Sequence, residues 1–185
     1  MSQEIRLRTE ELRDAGASLR VLDKVLLTGT VYTARDAAHK RIFALLEEGK
    51  PLPFDIAGAC IYYAGPTGTP PGLAIGSCGP TTSGRMDPYA PRLLDMGLAA
   101  MIGKGERNAA VCDAIQRNHA VYFCAIGGAG ALACKAIKRC DVIAFEDLGC
   151  ESVKRLQVED FPVVVATDCT GGNIFTQGRA QYASV

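Results

Sequence analysis

Apolar runs of strand length alternate with amphipathic segments of helix length along most of this 185-residue chain. Residues 25–32 are rich in β-branched and aromatic side chains, which is typical of a β-strand. Residues 33–49 follow at once, with apolar side chains on one helical face and a glycine at the end. Because strands that alternate with helices generally form a sheet covered by helices, the sequence predicts an α/β domain.

The same reasoning predicts the remaining elements. Further strands are predicted at 57–64, 98–102, 121–126, 142–145 and 162–166, and further helices at 87–96, 108–118, 131–137 and 151–156. The length is typical of one domain, so we expect residues 1–185 to fold together. Residues 1–20 are predicted to be a peripheral N-terminal segment and residues 177–185 a frayed tail.

Charge and hydropathy exclude two classes of partner. The 20 basic and 20 acidic residues cancel, and no basic stripe could follow a nucleic-acid backbone, so no nucleic acid is expected. No apolar run reaches the ~20 residues that a membrane-spanning helix needs. The first residues also lack the apolar region of a signal peptide, so we expect a soluble, cytoplasmic protein.

Eight cysteines raise the question of a metal site or disulfides; they are Cys60, Cys78, Cys112, Cys124, Cys134, Cys140, Cys150 and Cys169. No two of them have the C-x-x-C spacing of many zinc and iron–sulfur sites. Several lie in apolar runs, where cysteine behaves as a small buried hydrophobic residue in a reducing compartment. We therefore expect neither disulfides nor metal ligands on this chain, and Cys78 stands apart because it lies in a polar loop.

That loop is Gly76-Ser-Cys-Gly-Pro-Thr-Thr-Ser-Gly-Arg-Met-Asp87, which has three glycines and few bulky side chains. It offers backbone N–H groups, the hydroxyls of Thr81 and Thr82, and the guanidinium of Arg85. These groups suit a small anion such as a carboxylate or phosphate. The alternative is a structural turn with a solvated arginine, which is common for loops rich in glycine and proline. The density of donors favours an anion site.

Arg35 lies in the predicted first turn of a helix, where a cation opposes the helix dipole. A bound anion would explain the arginine, because free N–H groups already favour an anion at a helix start. The alternative is neutralisation by Asp36 or by solvent. His39 lies one turn further along the same face, and a lone helical histidine is more often packed than catalytic.

Several polar groups each follow a predicted strand. They are Arg35, the group Thr81, Thr82 and Arg85, then Lys104, the glycines at 127–130, and Asp168. In open α/β sheets, ligands bind at the carboxyl ends of strands, so we expect these groups to meet. Two arginines, a lysine and two hydroxyls around one cavity would suit a small dianion.

Six segments of the chain resemble the iron–sulfur hydro-lyases of the class I fumarase and L-tartrate dehydratase family. They are Thr28-Gly-Thr-Val-Tyr-Thr-Ala-Arg-Asp-Ala-Ala-His39, Ile61-Tyr-Tyr-Ala-Gly-Pro66, Gly79-Pro-Thr-Thr-Ser-Gly-Arg-Met-Asp87, Met101-Ile-Gly-Lys-Gly105, Gly127-Gly-Ala-Gly-Ala-Leu132 and Phe145-Glu-Asp-Leu-Gly149. The chain is similar to the C-terminal half of single-chain members, which is a separate β subunit in others. The motifs at 62–66 and 83–87 are closer to fumarase than to tartrate dehydratase.

The resemblance implies a swivelling β/β/α domain of three layers and the reversible hydration of fumarate to L-malate. A [4Fe–4S] cluster would belong to a partner α subunit, so this chain would hold no cofactor and would be inactive alone. Arg35, Arg85 and Lys104 would bind the substrate, and Thr81 would act as general base with Thr82 beside it. A hetero-oligomer is expected, with self-association left open.

Two readings of another class compete with this one. Gly128-Ala-Gly-Ala-Leu-Ala133 fits a loose dinucleotide fingerprint, with Glu146 about 20 residues further on, which would suit an NAD-binding oxidoreductase. That motif normally begins its fold, whereas here it lies late in the chain. The other reading is a non-catalytic subunit that binds a dicarboxylate.

Overall fold

The structure is a computed structural model that describes residues 4–126 and 128–182. Its seven strands are β1 (Ile5–Arg8), β2 (Lys24–Thr33), β3 (Cys60–Tyr62), β4 (Ala100–Gly103), β5 (Val121–Cys124), β6 (Ile137–Ala144) and β7 (Val153–Thr167). Its six α-helices are α1 (Leu12–Ala15), α2 (Asp36–Glu47), α3 (Ala90–Asp95), α4 (Ala109–Arg117), α5 (Gly130–Ala136) and α6 (Ile174–Tyr182). Short 3₁₀ turns cover Thr9–Glu11, Ser83–Met86 and Glu146–Glu151.

Five strands close into a mixed barrel. The sheet order is β1-β2-β3-β4-β5-β7-β6, and β2 also pairs with β7, so that β2, β3, β4, β5 and β7 form a ring. Strands β2 to β5 are parallel to one another, whereas β7 is antiparallel to both β2 and β5. The predicted α/β class is confirmed, and the closure into a barrel is a feature that we did not predict from the sequence.

The two faces of the barrel strands contribute to different hydrophobic clusters. In β5, Val121 and Phe123 point into the barrel, while Tyr122 joins the cluster between barrel and helices. In β3, Tyr62 points inward and Ile61 outward. This follows from the two-residue repeat of a strand, which sends successive side chains to opposite faces. Burying both faces explains why these strands are apolar along their whole length.

The segment from 151 to 167 differs most from the sequence prediction. A helix was predicted at 151–156 and a strand only at 162–166, but β7 runs continuously from Val153 to Thr167. It hydrogen-bonds to β2 on one side and to β6 on the other, so long-range pairing decides its conformation. Strand β6 likewise begins at Ile137, five residues before its predicted start.

The two ends of the chain also carry structure. Strand β1 pairs in parallel with β2, and the side chains of Leu12 and Leu19 are buried in the barrel cluster, within the segment predicted to be peripheral. The tail predicted to be frayed from Gln177 is instead helical to Tyr182, and residues 183–185 lie outside the described residues. Within the described ranges, no helix is both long enough and apolar enough to cross a membrane.

Candidate functional site

The candidate site lies at the carboxyl ends of β2, β3 and β4, which are adjacent and parallel in the barrel. Arg35 lies two residues after the end of β2, and Lys104 directly follows β4. The loop after β3 contains Thr81, Thr82 and Arg85. Because parallel neighbours end at the same rim, five residues that are distant in sequence lie at one end of the barrel.

Arg35 is the N-cap residue of α2 and its side chain is 22% exposed. Its Nε atom lies 3.5 Å from Oδ2 of Asp36 and 3.5 Å from Oε1 of Glu151. The guanidinium also packs on Gly65, where a Cβ atom would lie 2.9 Å from the Arg35 Nη1 atom. Glycine is therefore needed at position 65 for Arg35 to keep this position.

Arg85 belongs to the 3₁₀ turn Ser83–Met86, and its side chain is half exposed. Its Nε atom lies 2.8 Å from Oδ1 of Asp36, the carboxylate whose other oxygen faces Arg35. One carboxylate thus bridges the two arginines, and both guanidinium groups lie together at the rim. This is the juxtaposition that the positions of Arg35 and Arg85 after successive strands predicted.

The two threonines are fixed to the neighbouring strands through their backbones. The N–H of Thr81 donates to the carbonyl of Tyr63 at 2.7 Å, which continues the direction of β3. Thr82 forms a parallel bridge with Lys104, and Ser83 N–H donates to the Lys104 carbonyl at 2.9 Å. The Thr81 side chain is half-buried, whereas Thr82 and Lys104 are exposed. The backbones of Thr81, Thr82 and Lys104 are therefore fixed at the same end of the barrel as the arginine pair.

A buried ion pair below the loop fixes its far end. Nε of Arg107 lies 2.6 Å from Oδ1 of Asp87, and Oδ2 of Asp87 accepts from the N–H of Asn108 at 2.8 Å. The Arg107 guanidinium lies between the rings of Tyr63 and Tyr122, 5.3 and 5.0 Å from their centres. The sequence predicted a helix from residue 87 and gave no signal for Arg107, because the pairing of Asp87 with Arg107 is between two loops.

A second carboxylate and a buried lysine support Arg35 from the other side. Oε2 of Glu151 accepts from the N–H of Ala37 at 2.9 Å, in the first turn of α2. Nζ of Lys154 donates to the carbonyls of Gly149, Cys150 and Ser152 at 3.1–3.2 Å, and so holds the loop that carries Glu151. Burial lowers the pKa of Lys154. The sequence missed both residues because it placed 151–156 in a helix.

His39 is buried below Arg35 and packs between the rings of Tyr63 and Tyr89. Its Nδ1 atom lies 3.0 Å from the carbonyl oxygen of Arg35, so the neutral ring can donate there. Burial lowers its pKa to about 4, which keeps the ring uncharged at neutral pH. The position supports a packing role that also fixes the Arg35 backbone.

Several known proteins are similar in sequence to this chain. Residues 1–178 match the family model described as "Fumarase C-terminus". The chain belongs to this fumarase C-terminus family. "Fumarate hydratase 1, mitochondrial" of Leishmania major is 43% identical over 159 residues, covering 85% of this chain and 29% of the relative. "Fumarate hydratase class I, anaerobic" of Escherichia coli K12 is 42% identical over 159 residues, covering 85% and 29%.

Another relative, similar in length to this chain, matches over most of both chains. It is the "Putative L(+)-tartrate dehydratase subunit beta" of Methanocaldococcus jannaschii, 36% identical over 165 residues, or 86% of this chain and 85% of the relative. By contrast, the chain spans less than a third of the two fumarate hydratases. Membership of the class I fumarase and L-tartrate dehydratase β-type family, predicted from the motifs, is confirmed.

Asp168 lies away from the candidate site, contrary to the expectation from its position after a predicted strand. Strand β7 is antiparallel to β2 and β5, so its carboxyl end lies at the opposite end of the barrel. There the Asp168 carboxylate accepts from the N–H groups of Val21, Thr170 and Gly172. Burial disfavours its charge, but these bonds and the Thr170 hydroxyl lower its pKa overall. Asp168 therefore organises a turn.

Gly130, from the predicted glycine turn, packs against the loop of residues 76–87 and does not leave an open site for a phosphate. The N–H of Cys78 donates to the Gly130 carbonyl at 3.1 Å, and a Cβ on Gly130 would lie 2.9 Å from the Gly79 nitrogen. Helix α5 is only seven residues long, and Gly127 lies outside the described residues. This contact occupies the space that a pyrophosphate would need in the dinucleotide reading.

The cysteines do not assemble into a ligand set for a metal. In the part of the chain that the structure describes, no group of three or more histidine, cysteine or acidic side chains is placed to bind one. Burial raises the pKa of Cys78 to about 12, so it is an inert thiol.

A groove of about 530 Å³ lies on the outer face of β2, β6 and β7, and none of the predicted site residues lines it.

Proposed function

We propose that this chain is the β subunit of a two-subunit class I fumarate hydratase, which interconverts fumarate and L-malate. The observation that carries the proposal is the arginine pair bridged by Asp36 at the barrel rim, beside Lys104 and two threonines. Its composition suits an extended dicarboxylate, because a guanidinium binds a carboxylate through two parallel hydrogen bonds. The swivelling β/β/α assignment, the composite site and the cytoplasmic location belong to the same proposal.

Each group has a role that follows from its chemistry. Arg35 and Arg85 bind the substrate carboxylates, and the exposed ammonium of Lys104 adds a third positive charge to them. Thr81 and Thr82 present hydroxyls at which the substrate hydroxyl is held and a proton is moved. A threonine hydroxyl is a very weak acid in water, and the positive charges of nearby cations favour its deprotonated form.

The Lewis acid of the reaction is assigned to a [4Fe–4S] cluster on the α subunit, which would polarise the hydroxyl that leaves. The described residues of this chain include no group of ligands that fits a cluster. Arg85, Thr82 and Lys104 are exposed at the end of the barrel, which is consistent with a site that a second subunit covers.

Two comparisons bear on the identity of the substrate. The relatives named as fumarate hydratases are 43% and 42% identical, whereas the relative named as a tartrate dehydratase β subunit is 36% identical. Fumarate is therefore the first candidate. L-tartrate is the second, because the tartrate dehydratase relative matches over 85% of its own length.

Co-expression with a neighbouring gene product that carries three candidate cluster cysteines tests the proposal. The purified complex, assayed anaerobically, is expected to hydrate fumarate and to dehydrate L-tartrate more slowly, while this chain alone does neither. Thr81→Ala should lower kcat more than it raises KM, and Thr81→Ser should restore part of the rate. Full activity of the α subunit without this chain would favour the non-catalytic reading, and activity of this chain alone in metal-free buffer would contradict the proposal.

A further inference from the structure

We propose that Asp36 is a positioning residue, whose carboxylate sets the distance and orientation of the Arg35 and Arg85 guanidinium groups for a dicarboxylate. The substrate class comes from the proposed function, on which this inference rests. The arrangement itself comes from the contacts around Asp36.

Asp36 holds each arginine from one side. Its oxygens face the Nε atoms of Arg85 and Arg35, at 2.8 and 3.5 Å. Among the described residues, none accepts a hydrogen bond from the terminal nitrogens of either arginine. A guanidinium carries five N–H donors in a rigid fork, so a contact at Nε leaves terminal donors for a ligand carboxylate.

Asp36 and the two arginines form a clamp, and this clamp is itself fixed to the fold. Asp36 is the first residue of α2, where the helix dipole favours a negative charge. Glu151 reinforces the arrangement, since one of its oxygens lies 3.5 Å from Arg35 Nε and the other accepts from the N–H of Ala37 at 2.9 Å. Lys154 holds the loop of Glu151 through three carbonyls. Two elements that are far apart in sequence thus orient Arg35.

Positioning and simple charge balance predict opposite effects when Asp36 loses its charge. The variant Asp36→Asn makes the site more positive, so by charge alone a dianion would bind more tightly. If Asp36 orients the arginines, the two like-charged guanidinium groups instead separate, and the dianion loses oriented hydrogen bonds. The direction of the change in affinity therefore distinguishes the two.

The first experiment measures KM and kcat of Asp36→Asn in the assembled two-subunit enzyme, with fumarate and L-malate. We expect KM to rise about tenfold or more, the equivalent of one oriented charge-assisted hydrogen bond, with a smaller change in kcat. Asp36→Glu should recover part of the affinity. A decrease of KM in Asp36→Asn would overturn the proposal.

Asp147→Asn is the matched control, because it removes the same charge close by. Asp147 pairs with the exposed Arg41 and lies in the same 3₁₀ turn as Glu151. Its KM should stay within about twofold of the wild type, as for an exposed ion pair. An equal rise of KM in both variants would mean that charge near the site matters and orientation does not, which overturns the proposal.

The second experiment needs neither substrate nor partner. In the isolated chain, the NMR signals of the arginine Nε–H groups report the surroundings of these groups, including contacts with a carboxylate. Asp36→Asn should shift the signals of both Arg35 and Arg85 and speed their exchange with water, and Asp147→Asn should affect only Arg41. Unshifted Arg85 and Arg35 signals would refute the clamp. An inactive wild-type complex with shifted signals would refute the proposed function, while the contacts by which Asp36 orients the two arginines would stand.

Discussion

Arg35 and Arg85 reach the same carboxylate from different environments. Arg35 packs against Gly65 and is 22% exposed, whereas Arg85 is 51% exposed and, among the described residues, forms an ion pair only with Asp36. A partly desolvated arginine keeps its geometry by packing, while an exposed one depends on its ion pair. A change in the shape of the Arg85 side chain should therefore disturb the geometry of the arginine pair more than the same change at Arg35.

Arg85→Lys should raise KM of the assembled enzyme about tenfold although the charge is kept. An ammonium group cannot contact Asp36 and bind a carboxylate bidentately at the same time, so one or more charge-assisted hydrogen bonds are lost. Steady-state kinetics with fumarate measures the effect. Arg41→Lys changes an arginine in an exposed pair with Asp147 and is the control, which should leave KM unchanged. An unchanged KM in Arg85→Lys would argue against a contact between Arg85 and the substrate.

The start of helix α2 combines several of these constraints in one turn. Arg35 is its N-cap, Asp36 is its first residue, and Ala37 donates its N–H to Glu151. His39 then closes the turn by contacting the Arg35 carbonyl. Because the helix start is held by Glu151 of the 3₁₀ turn before β7 and by its own first turn, the position of Arg35 is coupled to the stability of this region.

This coupling predicts acid sensitivity through His39. Its pKa is about 4 in the folded state, below the ordinary 6.5, because burial disfavours the charged ring and the Arg107 charge adds to this. Its contribution to stability is therefore complete above pH 6.5 and is lost as the pH falls from 6.5 toward 4. The loss amounts to about 3 kcal/mol of unfolding free energy.

Urea denaturation between pH 7 and pH 4 measures this dependence. His39→Gln, which keeps an N–H donor, should flatten the decrease relative to the wild type. His119→Asn is the control, since His119 is exposed and has a positive φ of 51° that asparagine tolerates. A profile of His39→Gln as steep as that of the wild type would show that other groups cause the acid sensitivity.

The loops after β3 and β4 are joined by the buried pair of Asp87 and Arg107. Asp87→Asn should lower the unfolding free energy by about 3–5 kcal/mol, because it leaves a buried guanidinium without its counter-ion. The matched control is Asp95→Asn, at an exposed pair with Arg117, for which a loss below about 1 kcal/mol is expected. Denaturant unfolding of both variants measures these losses. Equal losses of unfolding free energy would contradict a special role of the buried pair.

At the scale of the whole molecule, the barrel is closed by the pairing of β2 with β7, whose register shifts between Leu27 and Gly29. Gly29 has a φ of 132°, and a Cβ atom there would collide with the Thr9 side chain. The Thr9 hydroxyl in turn accepts from the N–H of Thr30 at 2.9 Å. The seam of the barrel thus depends on one glycine and on the N-terminal segment.

Gly29→Ala should destabilise the fold by about 1 kcal/mol or more, because the strained φ and the clash with Thr9 act together. Gly68→Ala is the control, since Gly68 lies in an exposed loop with no atom within 4 Å of the new Cβ. Thermal unfolding of the two variants and the wild type compares them. A stability of Gly29→Ala equal to that of Gly68→Ala would show that the seam tolerates a side chain.

The candidate site was accessible from the sequence to the extent that its residues follow strands. Arg35, the threonines, Arg85 and Lys104 could be grouped because each comes after a short apolar run, and parallel neighbours end at one rim. The same rule failed for Asp168, because it assumes that every strand points in the same direction. Arg107 escaped it because its partner Asp87 lies in another loop, and Lys154 escaped it because residues 151–156 were predicted to form a helix.

The sequence by itself determined the family, the α/β class, and most strands and helices, because these depend on local patterns and contiguous motifs. Only the tertiary structure decided the closure of the barrel, the conformation of 153–158 and the bridging of two arginines by Asp36. The physical reason is that these features depend on pairings between segments distant in sequence, such as β2 with β7 and Asp36 with Arg85. The strength of such pairings depends on where the fold brings the partners, which no local pattern encodes.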